Sequence, residues 1–190
     1  YSVEAPGRVN LMGEHTEYNG CPVLPAAIHY SMSVAAAGEG KIGPPDHDGF
    51  SGCAVSIDNT DKQYAARMFQ IEETIPPFPR GDWGNYVKAG VQAVLSYFFS
   101  RGEKAADFRG GRFLFHGTVP PAAGLSSSSA IVVASALAFL AVNGREIESV
   151  TLAGILSAGE QYVGTRGGGM DQAVSLFGKE GHAVKINFNP

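Results

Sequence analysis

Residues 131–140 read Ile-Val-Val-Ala-Ser-Ala-Leu-Ala-Phe-Leu, an apolar run without Gly, Pro or charge. It is too long for an ordinary strand, so it reads as a helix that the fold must bury on most of its surface. Directly before it stands Pro120-Pro121-Ala122-Ala123-Gly124-Leu125-Ser126-Ser127-Ser128-Ser129-Ala130. A short hydroxyl-rich loop opening onto a helix N-terminus gathers free backbone N–H groups and hydroxyls at the positive end of the helix dipole, where phosphate is held. A serine before an apolar helix also serves as an N-cap, and on this stretch alone capping and phosphate binding stand level. Gly124 adds a position where a ligand can approach the backbone.

The rest of the chain reads as one domain around that helix. At 190 residues, 44% hydrophobic and 17% charged, it can bury a substantial core. A net charge of −4 gives no electrostatic footprint for nucleic acid or an anionic membrane, so an anionic ligand must be held by local chemistry. Cys21 and Cys53 and the five histidines fall in no metal-ligand spacing, and unpaired thiols fit a reducing, cytoplasmic setting. The chain begins with Tyr1 and ends at Pro190 without a closing helix, which reads as a fragment.

Ser2–Ala5 alternates like a strand and meets a turn signal at Pro6-Gly7. Residues 30–37 read as a buried strand, 38–50 as an exposed loop, and 54–57 with 63–71 as an antiparallel pair. The Pro-rich stretch 75–83 must be irregular. Val87, Val91, Val94, Leu95 and Phe98 recur at helical spacing. Residues 111–119 read as a strand, Ser149 as the cap of a helix through about Val163, 173–176 as a further helix, and 183–188 as a final strand. Strands followed by a mixture, with no regular βαβ repeat, favour an α+β fold.

Two more clusters carry chemistry. Gly7 to Gly20, Gly-Arg-Val-Asn-Leu-Met-Gly-Glu-His-Thr-Glu-Tyr-Asn-Gly, packs one Arg, one His, two carboxylates and two amides into 14 residues. Such groups accept from and donate to vicinal hydroxyls, as sugar recognition requires; a solvated loop is the plainer reading. Residues 164–172, Gly-Thr-Arg-Gly-Gly-Gly-Met-Asp-Gln, set three glycines before Asp171, which lets a carboxylate sit where backbone and substrate come close. Asp171 can equally be the N-cap of the helix that follows.

The three clusters, in this order and at these separations, resemble the stretches that mark the N-terminal half of the GHMP small-molecule kinases, the galactokinase branch in particular. The resemblance covers essentially the whole chain. It implies an α+β domain over residues 1–190, with a mixed or antiparallel sheet, helices on one face and a left-handed βαβ unit. It further implies that a C-terminal domain lies outside this chain, so that the chain alone is weakly active or inactive. The implied reaction is ATP-dependent, Mg²⁺-assisted phosphorylation of the anomeric hydroxyl of galactose.

By that resemblance Asp171 is the base facing the sugar hydroxyl and Arg8 sits beside it, while Glu14, His15, Glu17 and Gly168 contact the sugar. Trp83 and Tyr86 flank the adenine, and Gly124, Leu125, Ser126, Ser127, Ser128 and Ser129 hold the ATP phosphates. Ser128 holds Mg²⁺, with Glu160, eleven residues before Asp171, as a second ligand. Glu17 departs from the Asp usual in galactokinases, which moves the carboxylate by more than ~1 Å. The three-glycine form of residues 165–170 is similar to N-acetylgalactosamine kinases and fungal galactokinases. N-acetylgalactosamine or another hexose is therefore an alternative acceptor, and a catalytically silent galactose and ATP sensor is the alternative of another class.

Overall fold

The computed structural model describes residues 1–13, 19–39, 53–164 and 168–188. Five strands form one sheet: β1 (Ser2–Asn10), β2 (Pro25–Gly38), β3 (Ala54–Asn59), β4 (Arg67–Gln70) and β5 (Gly111–Gly117), in the order β1-β2-β5-β3-β4. All neighbours are antiparallel except β3 and β5, which run parallel. Parallel neighbours need a crossover, and here β4 and helix α1 (Gly84–Phe99) supply it. Helices α2 (Ser127–Asn143), α3 (Ser149–Gly159) and α4 (Met170–Phe177) complete the expected α+β domain with its mixed sheet.

Alternation along the strands puts all the helices on one face. Val34, Ala36, Val55, Ile57, Phe113 and Phe115 are buried, while Ala35, Ala37, Arg112, Leu114 and His116 between them face solvent. Helix α2 lies on the sheet and α1 packs against α2. Val132, Val133 and Phe139 of α2 are fully buried, each contributing roughly 1.5–3 kcal/mol. The helical spacing of Val87, Val91, Val94, Leu95 and Phe98 is realised in α1, where all five are buried.

Four sequence-based expectations are corrected. Pro6-Gly7 is no turn: β1 continues through it, with a register shift between Pro6 and Arg8, an irregularity at which a strand tolerates proline. β2 starts at Pro25, not Tyr30. Helix α3 stops at Gly159 and passes into a 3₁₀ turn, Glu160–Val163; its cap is Glu148, whose carboxylate accepts from the Thr151 N–H at 2.9 Å. Residues 183–188 make only isolated bridges, Ala183 to Ala26 and Ile186 to Val23. Of the expected exposed loop 38–50, Gly38 is the last residue of β2 and residues 40–50 lie outside the described residues.

The α1–α2 crossing is unusually intimate at Gly90, where a Cβ would come within 2.4 Å of the Val132 carbonyl oxygen. Helix propensity alone would make Gly90→Ala stabilising by about 1 kcal/mol. Because the obstructing atom is backbone, the helices must separate, and overpacking of that kind costs about 1–3 kcal/mol. Gly90→Ala should therefore lower the urea midpoint; an unchanged or higher midpoint would show that the crossing yields without cost.

Candidate active site

Arg8 lies near the end of β1 and ties three parts of the chain together. Its Nε donates to Asp171 Oδ1 at 2.7 Å and its Nη2 to Asp171 Oδ2 at 3.1 Å, a bidentate fork. Nη1 donates to the Gly124 carbonyl at 2.7 Å, and the Arg8 backbone N–H donates to the Leu125 carbonyl at 3.1 Å. The strand and loop touch so closely that a Cβ at Gly7 would stand 2.7 Å from Leu125 O. Asp171 sits in the first turn of α4 and does not cap it, because the N-cap position belongs to Gly169, at φ 90°. Its side chain stays 25% exposed, enough to meet a ligand, against 12% for Arg8.

The serine loop is not a plain cap either. Ser126 occupies the N-cap position of α2 with a left-handed backbone, φ 57° and ψ 44°, and makes no side-chain cap bond. A non-glycine residue held there costs on the order of 1 kcal/mol. Its hydroxyl donates instead to Asp171 Oδ2. Ala130 N–H makes the first intrahelical bond, to Ser126 O at 3.0 Å, so the N–H groups of Ser127, Ser128 and Ser129 have no acceptor within the helix.

Behind this loop Ser129 is buried and donates to Glu160 Oε1 at 2.5 Å. Glu160, the first residue of the 3₁₀ turn, is 6% exposed. Burial pushes its carboxyl above the usual range and the negative Asp171 adds to this, while the Ser129 hydrogen bond and, more weakly, Gln172 and Arg8 act the other way. Gln172 is fully buried, and its Nε2 has no hydrogen-bond partner.

A cleft of about 300 Å³ opens at the loop, lined among others by Trp83, Tyr86, Ala122, Ser127, Ser128 and Ile131. Trp83 is largely a core residue: its indole N–H donates to Ala65 O at 2.9 Å and its ring meets Phe115 edge-on at 5.5 Å. The Pro-rich stretch 75–82 beneath it is irregular, as expected, and is stitched to α1 by side chains. Asn85 accepts from Phe78 N at 2.7 Å, Gln92 accepts from Ile75 N at 2.7 Å, and Lys88 donates to Pro76 O at 2.7 Å. Burial lowers the Lys88 pKa, with Asp82 opposing, and the ammonium stands 3.1 Å over the Phe78 ring. The run Gly81-Asp82-Trp83-Gly84-Asn85-Tyr86 gave no sign that Asn85 and Lys88 brace this wall.

Of the residues expected at the site, the structure joins Arg8, Asp171, Gly124, Leu125, Ser126, Ser129 and Glu160 in one bonded cluster and sets Ser127 and Ser128 with Trp83 and Tyr86 on the cleft. Gly168 is half-buried next to Gly169. Glu14, His15 and Glu17 lie outside the described residues, as do residues 165–167. The hydroxyl bonded to Glu160 is that of Ser129, not of the neighbouring Ser128 expected beside it at a metal. Among the described residues no group of three or more His, Cys, Asp or Glu gathers for a metal ion. A Ser128 hydroxyl and a Glu160 carboxylate are nonetheless the hard oxygens that Mg²⁺ accepts when phosphates complete its shell, and a cation would relieve the repulsion between Glu160 and Asp171, so these residues fit it.

Residues 85–179, half of the chain, match the family profile described as GHMP kinases N terminal domain, and residues 1–38 match the galactokinase galactose-binding signature. The chain belongs to the GHMP kinases. Within them it sides with the galactokinases: it is 37% identical over 193 residues to the galactokinase of Candida parapsilosis and 34% identical over 201 residues to that of Saccharomyces cerevisiae. Each alignment covers 100% of this chain and 36% of the relative, so the chain spans little more than a third of their length. In fold it is similar to the crystal structure of Lactococcus lactis galactokinase complexed with galactose, with a TM-score of 0.83 at 24% identity, over 99% of this chain and 44% of that one.

Arg8→Lys keeps the charge but cannot form the fork or reach the loop carbonyl at the same time. It should destabilise the protein by about 1–3 kcal/mol, read as a lower urea midpoint at pH 7. An unchanged midpoint would mean that the fork holds nothing together.

Proposed function

We propose that this chain carries the sugar and ATP-phosphate sites of an ATP-dependent sugar 1-kinase that phosphorylates the anomeric hydroxyl of galactose. The observation that carries this reading is the Asp171 carboxylate, held by the Arg8 fork and the Ser126 hydroxyl at the mouth of the serine loop. The match of residues 1–38 to a galactose-binding signature supports the choice of sugar. That signature spans Glu14, His15 and Glu17, which with Gly168 are the proposed sugar contacts. The free thiols Cys21 and Cys53 support a reducing, cytoplasmic location.

In this mechanism the N–H groups and hydroxyls at the start of α2 bind the phosphates of ATP, with adenine in the Trp83–Tyr86 cleft. Ser128 and Glu160 would hold Mg²⁺, which would neutralise charge on the phosphates. The acceptor hydroxyl meets Asp171. A sugar hydroxyl titrates above ~10 and an ordinary carboxylic acid near 4, so complete deprotonation before transfer lies on the order of 8 kcal/mol uphill. The proton therefore moves to Asp171 late, past a loose transition state, as the new O–P bond forms and acidifies the hydroxyl. Arg8 keeps the carboxylate aimed and offsets charge on the transferring group.

An assay of ADP release with a panel of hexoses tests the reading on the full-length protein. Turnover should be greatest with galactose, and Asp171→Asn should lower kcat by at least ~10²-fold with little change in sugar affinity. Absence of turnover with every hexose, while galactose and ATP still bind, would establish the sensor instead. A separate comparison concerns Glu17: Glu17→Asp should raise the ratio of galactose to N-acetylgalactosamine turnover, and an unchanged ratio would remove Glu17 from specificity.

A further inference from the structure

The four serines of the loop divide into two pairs. Ser127 and Ser128 line the cleft. Ser126 and Ser129 are absent from that lining, and each has its hydroxyl on a carboxylate, Ser126 on Asp171 and Ser129 on Glu160. We propose that Ser126 and Ser129 are positioning residues that commit these carboxylates to separate tasks, Ser126 fixing Asp171 for the acceptor hydroxyl and Ser129 fixing Glu160 for the divalent cation. The proposal rests on the kinase reading above.

A serine hydroxyl has one proton to donate. Ser129 Oγ stands 2.5 Å from Glu160 Oε1 and 3.5 Å from Asp171 Oδ2, so the proton goes to Glu160 and the Asp171 contact is at the limit of a hydrogen bond. Ser129 is 2% and Glu160 6% exposed, so solvent cannot replace this bond. Asp171 has no need of Ser129, because Arg8 and Ser126 already hold both of its oxygens. Without Ser129, Glu160 Oε1 would lose the one close hydroxyl that fixes its orientation. Residues that orient a ligating carboxylate matter to metal affinity nearly as much as the ligand itself, typically by 10–100-fold.

The test uses full-length wild type, Ser126→Ala, Ser129→Ala, Glu160→Gln and the double variant Ser129→Ala/Glu160→Gln, each shown by its melting transition to be folded. Mn²⁺ binding in the presence of a non-hydrolysable ATP analogue is followed by electron paramagnetic resonance, and ADP release with galactose is measured in parallel. Ser129→Ala should weaken Mn²⁺ binding at least 10-fold, and the double variant should lose little beyond Glu160→Gln alone, because the two residues act as one unit. Ser126→Ala should leave Mn²⁺ affinity within about twofold and lower kcat with the galactose KM unchanged.

Wild-type Mn²⁺ affinity in Ser129→Ala, losses that add in the double variant, equal Mn²⁺ losses in both serine variants, or no Mn²⁺ binding by the wild type would each overturn the assignment. Mn²⁺ binding that follows the expected pattern in a protein that releases no ADP would sink the kinase reading and leave the role of Ser129 in place.

Discussion

One ion pair organises this molecule. The Arg8 fork on Asp171 joins the first strand to the last helix, and the remaining guanidinium nitrogen holds the Gly124 carbonyl. Strand, serine loop and α4 are thereby fixed to a single side chain whose planar donors leave little rotational freedom. The pair is only partly buried, so it escapes the heavy desolvation cost of a deep ion pair while remaining shielded enough to hold its geometry. That middle position also suits chemistry, since a carboxylate sealed from solvent could not meet a substrate.

Behind the pair, the core sets where the loop can go. Helix α2 is buried on nearly every side between the sheet and α1, so the loop at its N-terminus inherits a fixed origin. The wall of the cleft is held differently. Residues 75–82 contain prolines that donate no backbone hydrogen bond, and side chains from α1 satisfy several of the backbone groups that remain. Adenine recognition would thus depend on a segment whose order comes from Asn85, Lys88 and Gln92 rather than from secondary structure.

How much of this could be read beforehand varies with the range of the interactions involved. The periodicity of α1 and the apolar run of α2 are local signals, and both helices stand where they were expected. Pro6-Gly7 misleads because the continuation of β1 depends on backbone contact with Leu125, far away in sequence. Residues 183–188 alternate like a strand, yet their neighbours near Val23 offer only single bridges. At the site, the pairing of Arg8 with Asp171 was legible through the family resemblance. The carboxylate bonds of Ser126 and Ser129 were not, because nothing local tells Ser126 to adopt a left-handed backbone or either serine to aim its hydroxyl at a residue more than 30 positions away.

The Arg8–Asp171 union spans 163 residues. Closing a loop of that size costs about 4–5 kcal/mol in chain entropy, which the local helices and hairpins do not face. On a ribosome, β1 emerges ahead of the other elements of this chain and must wait for nearly the whole of it before its partner exists. All five strands and helices α1, α2 and α3 precede Asp171 in the chain, so they are made before the residue that pairs with Arg8. A chain interrupted between α3 and α4 would carry every strand of the sheet and lack Asp171.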